Sequence, residues 1–336
     1  MTIRWEDLNA RARGLATHLL GRGDLDVLAR APDMATLGDA LRGHGFPVAE
    51  GERSPEALEL ALRRMAAARL RVLARWAGPR ARALNVLFED EDRRSLRAVL
   101  RGAVQKASAD ARMAGLIPTA ALPERALRRL AEQSSAAAIA SLLTAWRNPY
   151  GSAILSLATT ANPDLLSLEL ALNRTFAARA ARAARGTGLL AAHVRETIDL
   201  ENAYTALVLA VGGKDVVVRD AFLAGGDRVS LGGFIEGAAA GDALVAARAL
   251  STAFGVTPLA RAFERFAADP GELEDAVLRI RIRELTRATR VDPLGPAPLL
   301  AYALRVRAEI LDLRRIIWGV TLATPPVALL QSLVTA

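Results

Sequence analysis

The sequence predicts an all-α protein, and three observations carry that prediction. The 336 residues are rich in Ala, Leu and Arg, which are strong helix formers. Runs of β-branched residues, which favour strands, are nearly absent apart from residues 216–218. Hydrophobic residues make up 52% of the chain and aromatic residues only 4%. A chain of this length can bury a substantial core, so we expect one assembled from packed helices.

The clearest helix is predicted over residues 297–320. Pro296 and Pro298 suit its first turn, where a backbone N–H has no partner within the helix. Apolar residues then recur at steps of three and four, which places them on one stripe: Leu299, Tyr302, Val306, Ile310, Leu313 and Ile317. Charged residues fill the rest of the surface, and Gly319 is a stop signal. An ordinary amphipathic core helix explains this pattern, and so does a helix that closes a repeated unit.

Start and stop signals divide the rest of the chain into further helices. Ser54 followed by Pro55 is a good start signal, and Asp33 is a plausible N-cap. Helices are predicted over about residues 5–20, 33–41, 54–76, 123–132, 136–146, 165–185, 242–250 and 273–290, and further helices start near 96 and 203. Turns or linkers are predicted at residues 148–151, 225–226, 232–233 and 254–255.

These elements recur in the same order three times. Asp92-x-x-Ser95 matches Asp199-x-x-Asn202, and both are interpreted as helix starts. An aromatic residue follows each short helix: Phe46, Tyr150 and Phe254. A period near one hundred residues is too long for the common solenoid repeats. The sequence therefore predicts three pseudo-repeated helical lobes, at residues 1–80, 81–187 and 188–336, packed into one integrated domain.

The charge of the chain favours acidic partners. The formal net charge is +8 and the pI is near 10.8, with arginine supplying almost all of the positive charge because Lys106 and Lys214 are the only lysines. Nucleic acid, an anionic membrane surface or an acidic subunit would each fit. The arginines alternate with acidic residues, and the sequence contains no helix-turn-helix or RNA-binding signature. Nucleic-acid binding is therefore the weaker alternative.

Two further features bear on the cellular setting. The chain has no cysteine, which excludes disulfides and thiol chemistry, and the sequence shows no secretory signal. Residues 316–336 carry no charge, which raises the question of a membrane anchor. Pro325 and Pro326 interrupt that segment, so two short packed segments joined by a turn are expected in place of a span.

The sequence offers no set of residues that points to catalysis. His18, His44 and His193 are too widely separated for a metal-ligand spacing. Residues 212–215 are interpreted as a turn, because they lack the spacing of a phosphate-binding loop. Residues 89–92 form a dense acidic run, which we interpret as favourable charge at a helix N-terminus, together with Asp199 and Glu201. We expect no cofactor, no metal and no enzymatic activity.

The chain resembles a known family in three motifs: Asp199-Leu200-Glu201-Asn202, Asn148-Pro149-Tyr150-Gly151 and the series Tyr302, Arg307, Glu309, Asp312, Leu313, Arg314, Ile316 and Gly319. Their order and spacing are similar to those of the C subunit of V-type and A-type rotary ATPases, which in eukaryotes is called the d subunit. The likeness spans nearly the whole chain. It departs from the family pattern at Ser95, which stands in place of Asn, and at Val208, which stands in place of Arg.

The resemblance implies a non-catalytic part of the central rotor. Family members are funnel-shaped sockets of three helical lobes, which join the central shaft to the membrane proteolipid ring and transmit torque for proton or sodium transport. The protein would then be peripheral on the cytoplasmic face of the membrane, and would touch the membrane only through the ring. Candidate interface residues are Arg305, Arg307, Glu309, Arg314, Arg315, Tyr150 and Asn202. The alternative is a helical protein-binding scaffold outside any ATPase.

Overall fold

The computed structural model describes residues 4–212 and 217–335, and every regular element in those ranges is helical. The predicted all-α class is confirmed. The helices are α1 (Glu6–Ala16), α2 (Arg22–Ala29), α3 (Met34–Gly43), α4 (Pro55–Trp76), α5 (Ala81–Val104), α6 (Ala109–Met113), α7 (Glu124–Ala131), α8 (Ala136–Ala145), α9 (Pro149–Ala158), α10 (Leu165–Ala183), α11 (Gly188–Gly212), α12 (Val218–Ala221), α13 (Leu231–Ala238), α14 (Ala243–Ala253), α15 (Pro258–Glu264), α16 (Pro270–Val291), α17 (Ala297–Thr321) and α18 (Pro326–Gln331). Residues 213–216 lie outside the described residues, and they include most of the predicted turn at 212–215 and the first residue of the β-branched run at 216–218.

Many of the helices begin with a polar side chain that caps their first turn. Asp33 accepts a hydrogen bond from the backbone N–H of Thr36, and Ser54 accepts one from Ala57. The same arrangement recurs at Ser108, Asp164, Ser230, Asp242 and Thr257. Each cap satisfies one of the backbone donors that a helix N-terminus leaves free. Local sequence therefore fixes where these helices start.

The chain forms two compact units. Unit 1 comprises residues 1–81, 90–135 and 281–336, and unit 2 comprises residues 82–89 and 136–280. This division follows packing, and whether the sequence contains three repeats at 1–80, 81–187 and 188–336 stays a prediction.

In unit 1, α17 is the helix around which the others pack. It lies against α1, α2, α3, α4 and α18. The predicted apolar stripe is buried along its whole length, with Leu299, Val306 and Ile317 fully removed from solvent. Sixteen of its residues are buried in all, so the helix has far more contact surface than a single amphipathic face provides.

In unit 2, α11 is the central helix, as α17 is in unit 1, and it packs against α10, α13 and α14. The core is aliphatic with a small aromatic group, in which the rings of Phe254 and Phe263 stack with centroids 5.0 Å apart. Helices α8 and α9 form a close hairpin. Gly151 makes it possible, because a Cβ at that position would overlap the backbone of Thr144.

The predicted turn at 148–151 and the predicted linker at 232–233 are both wrong, since each is the start of a helix. Asn148 is the N-cap of α9 and accepts a hydrogen bond from the backbone N–H of Tyr150, so Pro149, Tyr150 and Gly151 form the first turn. Residues 232–233 lie in the first turn of α13, where Ser230 caps the helix. Glycine lowers helix propensity, but in both places a polar cap and burial of the helix outweigh that cost.

The interpretation of the acidic residues as helix starts is also wrong. Residues 89–92 lie in the middle of α5, and Asp199 and Glu201 lie in the middle of α11. Helix-forming residues continue upstream of both groups. Arg93 and Arg94 neutralise Asp90 within α5, and backbone N–H groups satisfy the Asp199 carboxylate. Neither group of carboxylates therefore needs a helix N-terminus.

None of the helices in the described ranges is both long enough and apolar enough to cross a membrane. The uncharged C-terminal segment ends α17 and, after a turn at Ala323, continues as α18. Leu329, Leu333 and Val334 are buried, so this segment packs as the two short pieces that the sequence predicts.

Candidate protein interface and its buried anchors

Glu309 is one of the candidate interface residues on α17. Its side chain lies inside unit 1, where it holds other segments of the chain in place. Glu309 forms an ion pair with Arg69 of α4, and only 3% and 7% of the two side chains are exposed. The backbone N–H of Leu20 also donates to Glu309 at 2.8 Å, and Arg69 donates to the carbonyl of His18 at 2.9 Å. These contacts join α17, α4 and the segment between α1 and α2. Burial raises the pKa of Glu309, against the opposing effect of the Arg69 guanidinium.

Tyr302 lies two turns before Glu309 on the buried stripe. Its side chain is 1% exposed, and burial raises its pKa to about 12. Among the described residues its hydroxyl has no hydrogen-bond partner. The ring therefore contributes to the site by packing.

Arg307 points to the acidic run of α5. Its guanidinium donates to Glu91 at 2.6 Å, and both side chains are mostly buried. Asp90 accepts from Arg93 at 2.6 Å and from Arg94 at 3.1 Å. Burial alone would raise the pKa of Asp90, but the charges of Arg94 and Arg93 outweigh it and lower the pKa. The acidic run is thus neutralised by arginines in mid-helix.

Arg314 and Arg315 each make an internal contact. Arg314 donates to Glu59 of α4 at 2.9 Å, and the indole N–H of Trp318 donates to the same oxygen at 2.8 Å. Arg315 donates to the backbone carbonyl of Ser332 at 2.7 Å. Both arginines keep about 30% of their side chains exposed, so they join elements of unit 1 while part of each remains open to solvent.

Arg305 differs from the other arginines of α17. It is partly exposed, and it forms no hydrogen bond or ion pair with any of the described residues. Its charge acts at longer range, since it is one of the groups that oppose the raised pKa of Glu309. Arg305 is therefore the one arginine of α17 that has no hydrogen bond or ion pair with the described residues.

Tyr150 and Asn202 belong to unit 2, on α9 and α11. Tyr150 is 2% exposed. Asn202 is fully buried and makes a two-point contact with the backbone of Leu223. Its amide donates to the Leu223 carbonyl at 2.9 Å, and its carbonyl accepts from the Leu223 N–H at 2.8 Å. Both residues shape the core of their unit.

Asp199 lies one helical turn before Asn202 and binds residues 227–229, shortly after the Leu223 that Asn202 binds. Its carboxylate accepts from the backbone N–H groups of Asp227, Arg228 and Val229, at 3.0 to 3.1 Å. Burial raises its pKa, against the opposing effect of these donors. Gly226 is required beside it, because a Cβ there would overlap the Asp199 side chain.

Two other aspartates bind a later segment of the chain in the same way. Each lies on a long helix and accepts hydrogen bonds from residues 20 to 30 positions further along. Asp92 accepts from the Thr119 hydroxyl at 2.5 Å. Asp312 accepts from the backbone N–H of Val334, and from the N–H and hydroxyl of Thr335. Asp92, Asp199 and Asp312 are each less than 5% exposed. The sequence pattern matches Asp92 with Asp199, but it does not indicate this role for either of them.

The described part of the chain contains no group of three or more His, Cys, Asp or Glu residues that could hold a metal ion. The described residues thus form an all-helical protein in which buried ion pairs join long helices and three buried aspartates each bind a later segment of the chain. Comparison with protein families adds the identity of this class.

The family model of the ATP synthase (C/AC39) subunit matches residues 8–328. Because that match covers nearly the whole chain, the protein belongs to the ATP synthase (C/AC39) subunit family. The resemblance to the C subunit of the V-type and A-type rotary ATPases, the d subunit of eukaryotes, is confirmed. No curated protein sequence matches the chain significantly.

Proposed function

We propose that the protein is a non-catalytic subunit of the central rotor of a V-type or A-type ATPase. In this role it is a socket that joins the central shaft to the membrane proteolipid ring, and it transmits torque for ATP-coupled proton or sodium transport. The observation that carries the proposal is the family match over residues 8–328. A location on the cytoplasmic face of the membrane follows from the same proposal.

The contacts of α17 support this mechanical role. A part that transmits torque must resist shear, and buried charge pairs have strict geometric requirements that oppose the sliding of helices. Arg69–Glu309 and Arg307–Glu91 link α17 to α4 and α5 in this way. The hydrogen bonds of Asp312 secure the C-terminal segment against the same helix.

A funnel of three lobes is part of the proposal. The aspartates at 92, 199 and 312 recur at intervals of 107 and 113 residues, and each secures a later segment of the chain. The proposed lobes are residues 1–80, 81–187 and 188–336. Asp92 lies in the second lobe and Asp199 in the third, while Asp312 lies on the helix that closes the third lobe. The recurrence favours an origin in one repeated helical unit.

The interface role of α17 can be tested at Arg305. Reversal of Arg314 and Arg315 would disturb partner binding if α17 lines the socket, but it would also break their contacts with Glu59 and Ser332. Arg305→Gln removes a charge without removing an internal ion pair. We expect Arg305→Gln to weaken assembly and leave the thermal stability of the isolated chain within about 0.5 kcal/mol of the wild type.

The proposed function is tested by identifying the proteins that are released from the membrane together with the chain. Native membranes are washed in low-salt chelating buffer, and the released proteins are separated under native conditions and identified. Release of the chain together with shaft and head subunits, with the ring left behind, is the expected result. If the chain is found in the soluble fraction without any ATPase subunit, the rotor assignment is wrong and the scaffold alternative replaces it.

A further inference from the structure

The two units differ sharply in charge. Unit 1 contains 30 Lys and Arg residues against 20 Asp and Glu, whereas unit 2 contains 14 against 16. Unit 1 therefore carries a formal charge of +10 and unit 2 a charge of −2. The basic character of the chain belongs to unit 1, so an acidic partner is to be sought on the surface of that unit.

The arginines of helix α4 in unit 1 lie on two different faces of the helix, one buried and one exposed. Arg63 and Arg69 face inward, are each 6% exposed, and bind Met113 and Glu309 respectively. Arg64, Arg71 and Arg75 lie on the opposite face, which is exposed, with Ala68 between them. We call these four residues the arginine ridge. The spacing of 64, 68, 71 and 75 keeps them on one line along the helix.

The ridge is poorly neutralised by the chain itself. Arg64 has a carboxylate partner, Glu124, at 3.5 Å, and this contact is largely exposed to solvent. Arg71 donates to the Ala67 carbonyl of its own helix. Within residues 4–212 and 217–335, neither Arg71 nor Arg75 forms an ion pair. An exposed pair such as Arg64–Glu124 contributes little stability, so the three charges remain available to a partner.

An exposed tryptophan ends the ridge. Trp76 is 45% exposed, and the guanidinium carbon of Arg11 lies 3.3 Å above its ring. Arg80, which follows shortly, is neutralised by Asp7. The ridge thus ends in a flat aromatic surface with a fourth cation stacked on it, a combination that is common at protein interfaces. Residues 11 and 76 are far apart in sequence, so only the fold reveals this pairing.

We propose that the arginine ridge, together with Trp76 and Arg11, binds an acidic face on a helix of the central shaft. Arg64, Arg71 and Arg75 span about 16 Å at the 1.5 Å rise of an α-helix. Carboxylates at the same intervals on a partner helix would meet all three guanidinium groups. The small side chain of Ala68 leaves room for a helix to lie close between them. A single line of charges fits a helix better than a flat lipid surface. This inference rests on the proposed function, because it names the surface through which that partner is held.

The test uses the soluble head–shaft complex, purified from cells that lack this chain, as the probe. The full-length chain is titrated with that complex at low and moderate salt. The ridge variant is Arg64→Glu with Arg71→Glu and Arg75→Glu. The matched control is Arg174→Glu with Arg182→Glu and Arg185→Glu, which changes the net charge equally at exposed positions in or just after α10 of unit 2. Circular dichroism and thermal melting establish that both variants are folded.

We expect the ridge variant to bind the head–shaft complex at least about tenfold more weakly than the wild type, and the control to differ by less than about twofold. Wild-type binding at the ridge should also weaken as salt is added. Binding of the ridge variant with wild-type affinity would overturn the inference, and so would an equal loss in the control. If the wild-type chain itself does not bind the complex, the proposed function fails as well.

Two further probes test whether the arginine ridge binds a different kind of partner. Vesicles of neutral and anionic phospholipid, mixed about 7:3, report on a membrane surface, and a DNA duplex reports on nucleic acid. If the ridge variant loses binding to either probe while it keeps the head–shaft complex, the ridge serves that other partner and the inference is overturned. Unchanged behaviour toward both probes, together with loss of the head–shaft complex, supports it.

Discussion

Glu309 of α17 and Arg69 of α4 form an ion pair that is almost completely removed from solvent, although 240 residues separate them in the chain. The pair also holds Leu20 and His18, so it connects three segments of unit 1. A buried pair of this kind is costly to form and more costly to break. It is the clearest example of how the fold uses charge to fix the position of α17.

Removal of one partner of this pair should strongly destabilise the protein. We expect Arg69→Met to lower the free energy of unfolding by about 3–5 kcal/mol, because Glu309 would remain buried without a counter-charge. The double variant Arg69→Met with Glu309→Leu should lose less than the sum of the single changes. Urea denaturation of the four proteins measures this coupling, and strict additivity would show that the pair is not energetically linked.

Asp199 should matter through its charge and its acceptor oxygens. Asp199→Asn replaces one acceptor oxygen by an NH₂ donor, which cannot accept hydrogen bonds from the N–H groups of residues 227–229. We expect the free energy of unfolding to fall by about 2 kcal/mol or more. Asp227→Asn is the control, because its ion pair with Arg195 is exposed and should change stability by less than about 1 kcal/mol. Limited proteolysis near residues 225–229 should accelerate in Asp199→Asn alone. Equal effects in both variants would contradict the role given to Asp199.

Ser95 and Asn202 occupy matching positions in the sequence but differ in what they bind. Asn202 bonds both backbone groups of Leu223, whereas the buried Ser95 hydroxyl has no partner among the described residues. We expect Asn202→Ala to cost about 1–3 kcal/mol, and Ser95→Ala to be neutral or slightly stabilising. Thermal unfolding of the two variants checks this. A loss in Ser95→Ala as large as that in Asn202→Ala would contradict the difference assigned to the two residues.

Ala323 follows α17 in the left-handed conformation, with φ of 53°. Glycine adopts that conformation without steric cost, so Ala323→Gly should stabilise the protein by up to about 1 kcal/mol. Ala328→Gly is a suitable control in the following helix, where glycine should instead destabilise by about 0.5–1 kcal/mol. The two substitutions are thus expected to shift the unfolding midpoint in opposite directions. A lower midpoint for Ala323→Gly would contradict this interpretation of the turn.

The sequence predicts those features of the fold that depend on local chemistry. The caps at Asp33 and Ser54 and the buried stripe of α17 follow from residues close together in the chain, and all are present. The helix start that the sequence predicts at the acidic run of α5 is wrong, and the arginines that neutralise the run in mid-helix include Arg307, which lies far along the sequence. Likewise, no local pattern could assign Glu59 to Arg314 or bring Arg11 onto Trp76. Spacing on one helix gives its buried face, but the partners of that face depend on the fold.

The most direct test of the rotor assignment is ATP-driven ion uptake by inverted membrane vesicles of the host. Vesicles are prepared from cells with and without the chain, and ATP hydrolysis is measured on the membranes and in the soluble fraction. If the chain joins the shaft to the ring, its absence abolishes ion uptake and shifts hydrolysis to the soluble fraction, and the wild-type chain restores both. Ion uptake at the wild-type level in vesicles without the chain would contradict the rotor assignment.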